Sequence, residues 1–166
     1  HPVPYRQRPI QATYFKGGSK WSTWLVEDQR FVDDRPDVLS WESAPLKEDL
    51  TIAGEVVAKL FTSTTGTDAD WVVKLIDVHP NSFQELVRGD VMRAKFRESF
   101  SKPIPLRPGK VAQLDFTMPD VFHTFRRGHR MLVQVQGSWF PLVDRNPQVF
   151  TDIYKAKASD FRSATQ

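Results

Sequence analysis

From Val38 onward apolar residues recur at every second position, and that period leaves a chain of this length little room for anything but a β fold. In residues 50–60 the even positions are Leu50, Ile52, Gly54, Val56, Ala58 and Leu60, while the odd ones include Thr51, Glu55 and Lys59. Such alternation marks a strand with one face on a core and the other in water. Residues 111–118 repeat it, with Ala112, Leu114, Phe116 and Met118 against Gln113, Asp115 and Thr117. Met131, Val133 and Val135 alternate with Gln134 and Gln136. Residues 71–78 are apolar on both faces apart from Lys74 and Asp77, as expected of a strand covered on both sides. Turn formers separate these runs: Thr64-Thr65-Gly66-Thr67-Asp68, His79-Pro80-Asn81-Ser82 and Arg107-Pro108-Gly109-Lys110. Gly, Pro, Asn and Asp supply or tolerate turn dihedrals. Residues 82–89 and 159–165 have the composition of short helices. The pattern predicts an all-β antiparallel sandwich over residues 38–166, with Greek-key or jelly-roll links.

Residues 1–37 read differently. Pro2, Pro4, Pro9, Gly17, Gly18 and Pro36 punctuate them, and proline fixes φ and removes a donor, so no long helix is expected. Yet Tyr5, Tyr14, Phe15, Trp21 and Trp24 are too many aromatic rings for a free linker. The segment is expected to be an irregular arm lying on the sandwich or on another domain.

Composition narrows the function classes. No run approaches the roughly 20 apolar residues of a membrane span, so no membrane partner is expected. The opening His1-Pro2-Val3-Pro4-Tyr5-Arg6 has no basic and apolar leader pattern and no initiator Met, which suggests excision or processing from something longer. The compartment stays open between cytoplasm and export. With no cysteine there are no disulfides, thiolate zinc sites or cysteine nucleophile. The net charge is +3, and the 14 basic residues of positions 84–166 are scattered along strand-like runs rather than gathered in a stripe. Nucleic acid is not an expected partner.

Catalytic signatures are missing. Gly17-Gly18-Ser19-Lys20-Trp21 and Gly137-Ser138-Trp139-Phe140 both fail the G-x-S-x-G turn, and no α/β alternation exists to carry one. None of His1, His79, His123 and His129 has helical metal-pair spacing, although His123 and His129 can approach across a strand end. Asp33-Asp34, Glu48-Asp49 and Asp68-x-Asp70 read as turn residues bonding their own backbone. No metal, no cofactor and no catalytic residue is therefore expected. Among the aromatics, Trp41, Phe61, Trp71, Phe116 and Phe125 are assigned to core or inter-sheet packing. Trp139 and Phe140 sit in a loop, where two large rings are costly to leave in water. The domain's own core, a partner surface and sugar stacking all remain open for them.

Several stretches, in this order along the chain, resemble one family. They are Trp24-Leu25-Val26-Glu27-Asp28-Gln29-Arg30-Phe31-Val32, Arg35-Pro36-Asp37-Val38-Leu39-Ser40 and Leu46-x-Glu48-Asp49-Leu50. Thr67-Asp68-Ala69-Asp70-Trp71 continuing to Val78, Gly128-His129-Arg130-Met131-Leu132-Val133-Gln134-Val135, and Phe140-Pro141-Leu142-Val143-Asp144-Arg145-Asn146 complete the set. Together they resemble the C-terminal, non-catalytic domain of the X-Pro dipeptidyl-peptidase superfamily, in its cocaine esterase and α-amino acid ester hydrolase branch. The resemblance implies a galactose-binding-like jelly roll that accompanies an α/β-hydrolase domain carrying the Ser-Asp-His triad. It implies that this chain is non-catalytic alone and that its partner is its own catalytic domain. It also implies that Pro2-Val3-Pro4-Tyr5 passes near an active-site mouth, so Tyr5, Trp139 and Phe140 are the candidate substrate or domain-interface residues. Cut free, such a domain is expected to self-associate. A free-standing carbohydrate-binding jelly roll is the alternative.

Overall fold

The computed structural model describes residues 28–33, 35–140 and 142–166. Among them six antiparallel strands form two sheets. Strands β1 (Val38–Glu42), β6 (Arg130–Gln136), β3 (Asp70–Val78) and β4 (Gln84–Arg93) lie side by side in that order, and β2 (Leu50–Thr62) pairs with β5 (Ala112–Phe125) in a second sheet. The chain thus pairs β1 with β6 and β2 with β5, a nested arrangement in which early strands meet late ones.

The core lies between the sheets. Ala58, Leu114, Phe116 and Met118 from the pair β2–β5 meet Trp71, Val73 and Met92 from β3 and β4. In β5 every second side chain from Leu114 to Met118 is buried, as the alternation requires. The parity then shifts by one. Gly54 pairs with Val121 but Val56 pairs with Met118, so the strands bulge there, with Gly54 at φ +104° and Pro119 on the facing strand. A bulge is where a strand tolerates proline, since one ladder donor is already surrendered. The shift turns Val121, His123 and Phe125 inward.

Strand β3 is buried along its whole length. Its inner face carries Trp71, Val73 and Leu75. Its outer face carries Val72, Lys74, Ile76 and Val78, and is covered by the 3-10 turn Gln29–Val32 and by the segment after β6. The β3–β4 hairpin closes at the expected turn: the Ser82 N–H donates to the His79 carbonyl at 2.8 Å, the Phe83 N–H to Asn81 Oδ1 at 3.1 Å, and Ser82 takes φ 67°.

Two expectations fail. Residues 82–89 are not helical; most of them belong to β4, where Gln84 pairs with Val78 and Leu86 with Ile76. Nothing in Gln84-Glu85-Leu86-Val87-Arg88 opposes a helix, but the open edge of β3 offers this segment a ladder and an apolar face, and tertiary pairing overrides weak local preference. In residues 159–165 helical geometry is limited to the end of the 3-10 turn Ala158–Asp160. Burial also differs from expectation for two aromatics. Trp71, Phe116 and Phe125 are in the core, but Trp41 is 57% and Phe61 74% exposed. Trp41 pairs with Val133 on edge strand β1, where four of the five residues are exposed, and Phe61 pairs with exposed Gln113 on the outer face of β2.

Candidate functional site

The segment after β6 carries both described candidates. Trp139 is buried with Val32 and Val72 on the outer face of the four-stranded sheet. Its ring lies so close to β4 that a Cβ on Gly89 would stand 2.9 Å from Trp139 Cη2, so any side chain there forces the indole or the strand to shift. Phe140 is 39% exposed and borders a groove with Asp144, Arg145, Ile153, Tyr154 and Phe161. Arg145 lies 5.5 Å over the Phe161 ring, and Tyr154 projects almost wholly into solvent. Tyr5 lies outside the described residues.

Beneath this loop is a buried polar clasp. The Asp70 carboxylate accepts two hydrogen bonds from the Arg93 guanidinium, both 2.9 Å, and one from the Asn146 amide at 2.7 Å. Arg93 also donates to the Asp144 carbonyl at 2.8 Å, and Asn146 Oδ1 accepts from the Gln148 N–H at 2.7 Å. The bidentate pair with Asp70 holds Arg93 more firmly protonated than usual. Asp68, two residues away, is different. Its Oδ1 accepts backbone N–H groups of Ala69 and Lys95, each at 3.0 Å. Burial pushes its carboxyl above the usual range, the Asp70 charge adds to the rise, and hydrogen bonds from Asn146 and Lys95 oppose it. Asp68 thus meets the expectation of a locally bonded turn residue only through Ala69; its bond from Lys95 bridges 27 residues, and Asp70, expected to bond its own backbone, reaches across the fold.

Lys74 is the second buried polar peg. Its side chain is completely covered; Nζ donates to Gln29 Oε1 at 2.9 Å and lies 5.4 and 5.1 Å from the ring centroids of Phe31 and Trp139. Aromatic faces and an amide oxygen are the environment that a desolvated ammonium requires.

The third is a carboxylate held by two imidazoles. Asp77, 2% exposed at the inner end of β3, bonds His123 Nε2 through Oδ2 at 2.9 Å and His129 Nδ1 through Oδ1 at 2.8 Å. The register shift in β5 brings His123 inward, and the β5–β6 turn, with Gly128 at φ 83°, delivers His129. His79 stacks on His129 with centroids 4.5 Å apart and bonds Glu85 Oε2 through Nε2 at 2.9 Å. An Asp–His pair resembles two members of a hydrolytic triad, but among the described residues no serine or threonine hydroxyl is hydrogen-bonded to either imidazole.

Each clasp joins sequence motifs that are far apart in the chain. Gln29 meets Lys74, Asp77 meets His129, and Asp70 meets Asn146. The spacing of His123 and His129 points to their approach, but nothing in the sequence marks the carboxylate they share.

These features define an antiparallel β-sandwich cross-braced by buried polar pairs, with its distinctive residues serving as braces. The chain belongs to the X-Pro dipeptidyl-peptidase C-terminal non-catalytic domain family, whose model matches residues 4–165. It is similar to an aminopeptidase from a marine sediment archaeon of the Thaumarchaeota, with 48% identity and TM-score 0.90, over 99% of this chain and 28% of that one. An α-amino acid ester hydrolase matches with 45% identity and TM-score 0.90 over the same shares. The cocaine esterase of Rhodococcus sp. (strain MB1 Bresler) is 34% identical over 119 residues, 72% of this chain and 21% of the esterase. The chain thus spans between a fifth and somewhat over a quarter of these relatives.

Proposed function

We propose that this domain serves as the accessory C-terminal part of an α/β-hydrolase-type serine hydrolase acting on acyl esters, amides or X-Pro peptides, and that it helps to shape the active-site entrance. The relatives are an aminopeptidase, an α-amino acid ester hydrolase and an esterase, all hydrolases of acyl bonds. The nested strand pairing supports a jelly-roll reading of the sandwich.

One observation carries the interface assignment. The loop bearing Phe140 is fixed from below by Trp139 and by the Asp70–Arg93–Asn146 clasp, while Phe140 and Tyr154 point outward over a groove. A rigid base under exposed aromatic rings is the anatomy of a docking surface, where a few aromatic anchors supply most of the binding energy. Tyr5 is assigned to the same contact, on the arm that leads into the sandwich. A large permanent contact of this kind positions a partner domain; it adds no chemistry of its own.

The test uses the α-amino acid ester hydrolase cut ahead of its C-terminal region and supplied with this chain in trans. Association and recovered ester hydrolysis are expected, weakened at least tenfold by Phe140→Ala with Tyr154→Ala. Absence of association at tens of micromolar of each part, with both parts folded by circular dichroism, would refute the reading.

A further inference from the structure

The braces built from Asp70 and Lys74 pair one charge with its partners, but the cluster around Asp77 gathers a carboxylate and two imidazoles at one place. Asp77, His79 and His129 each present one ligand atom, and the three atoms lie within 4.8 Å of one another. An ion at the centre of such a triangle is at most about 2.8 Å from each atom, against about 2.0–2.2 Å for zinc bound to imidazole nitrogen or carboxylate oxygen. A contraction of roughly 0.7 Å, within reach of side-chain rotation in a turn, closes that difference.

We propose that Asp77, His79 and His129 form a binding site for a divalent transition metal of the zinc class, which ties the β3–β4 turn to the β5–β6 turn. This departs from the expectation of a metal-free chain, and it stands apart from the docking role assigned to the Phe140 loop.

The surrounding groups fit such a site. His79 gives Nε2 to Glu85 and keeps Nδ1 for an ion, the carboxylate–imidazole–metal arrangement that fixes ring orientation and raises ligand basicity. Asp77 gives Oδ2 to His123 Nε2, while Oδ1, which bonds His129 Nδ1 in the metal-free chain, turns to the ion, so the ligating carboxylate is itself held. His129 coordinates through a nitrogen without a proton, and the Asp77–His129 hydrogen bond is exchanged for a shared ion. Two imidazoles and one carboxylate suit Zn2+, Co2+, Ni2+ or Cu2+, whereas Ca2+ and Mg2+ require oxygen ligands in greater number. Exposure is graded appropriately: Asp77 is buried, while the side chains of His129 and His79 are 12% and 30% exposed, leaving an entry path and room for water to complete the coordination.

The experiment is titration of the chelator-treated chain with Co2+ and with Zn2+, read by the visible absorption of bound Co2+, by calorimetric stoichiometry and by the thermal midpoint. One ion per chain is expected, with micromolar or tighter affinity for Zn2+, an absorption band of low coordination number for Co2+, and a rise in midpoint. His79→Ala removes a ligand from the exposed end of the site and should weaken binding at least tenfold, with circular dichroism of the metal-free variant separating this from any loss of fold. Glu85→Gln, which leaves all three ligands in place, should weaken binding by a smaller factor. Absence of saturable binding below millimolar metal would overturn the proposal. So would undiminished binding in both His79→Ala and His129→Gln, which would place the ion elsewhere.

Discussion

Asp70 and Asp68 are two residues apart, both buried, and should answer opposite ways to the same substitution. In Asp70→Asn the new side chain offers one acceptor where three donors converge, two from Arg93 and one from Asn146. Its amide nitrogen must face a guanidinium, donor against donor. Removing one member of a buried ion pair costs about 3–5 kcal/mol, because the remaining charge keeps its desolvation penalty. Against a total stability of roughly 5–15 kcal/mol this is severe. With a urea dependence of about 2 kcal/mol per molar for a domain of this size, the unfolding midpoint should fall by about 1.5–2.5 M. Asp68→Asn retains an oxygen for the Ala69 and Lys95 N–H groups and removes a carboxylate that burial disfavours. The sign follows from the raised pKa. The native state prefers protonated Asp68, so its stabilising contribution is complete below the unfolded value of 3.8 and is lost as pH rises through the folded value. Asp68→Asn should therefore equal or exceed the parent chain at pH 7 and lose that advantage as the pH falls through the raised folded value, with the loss complete once the pH is below 3.8. Urea titrations at both pH values, followed by fluorescence of buried Trp71 and Trp139, measure all of this. A midpoint loss under 0.5 M for Asp70→Asn, or equal losses for the two variants at pH 7, would refute the reasoning.

Other expectations follow from the same packing. Gly89→Ala puts a Cβ 2.9 Å from Trp139 Cη2 and 3.3 Å from Lys74 Cγ, so overpacking should cost about 1–3 kcal/mol, visible in the urea midpoint, even though alanine usually suits a strand better than glycine. The isolated chain should self-associate through its exposed rings, and Phe140→Ser with Tyr154→Ser should reduce the sedimentation-derived association constant at least tenfold; a clean monomer from 1 to 100 µM would contradict it. Tyr5→Ala in a full-length hydrolase carrying this domain should alter kcat/KM for bulky acyl groups more than for small ones, and unchanged kinetics at unchanged stability would remove Tyr5 from the entrance.

How far the sequence alone reaches is clear from particular residues. Alternation at Leu114, Phe116 and Met118 identified β5 because one face of a half-buried strand is written locally. The uniform apolarity around Val72 and Val73 identified β3 because a strand covered on both faces is apolar on both. Gln84–Arg93 did not read as a strand, since its ladder is supplied by β3 and leaves no mark in its own composition. Trp41 and Phe61 carried the right residue type for a core, but burial depends on where the opposite sheet ends. The polar clasps were hidden most completely. Asp70 and Asn146 are 76 residues apart, and Lys74 and Gln29 are 45 apart. Single charged or amide residues in strands and loops give no hint of such distant partners. Their motifs could be matched to a family, but only the fold reveals that they are cross-braces.

By itself, this chain is expected to perform no acyl-transfer chemistry. The most direct test is the intact mass of the purified chain after incubation with a fluorophosphonate probe, run beside hydrolysis of a simple aryl ester. An unmodified mass and no turnover above buffer are expected. A stoichiometric adduct on one serine, with ester hydrolysis that the adduct abolishes, would contradict that expectation.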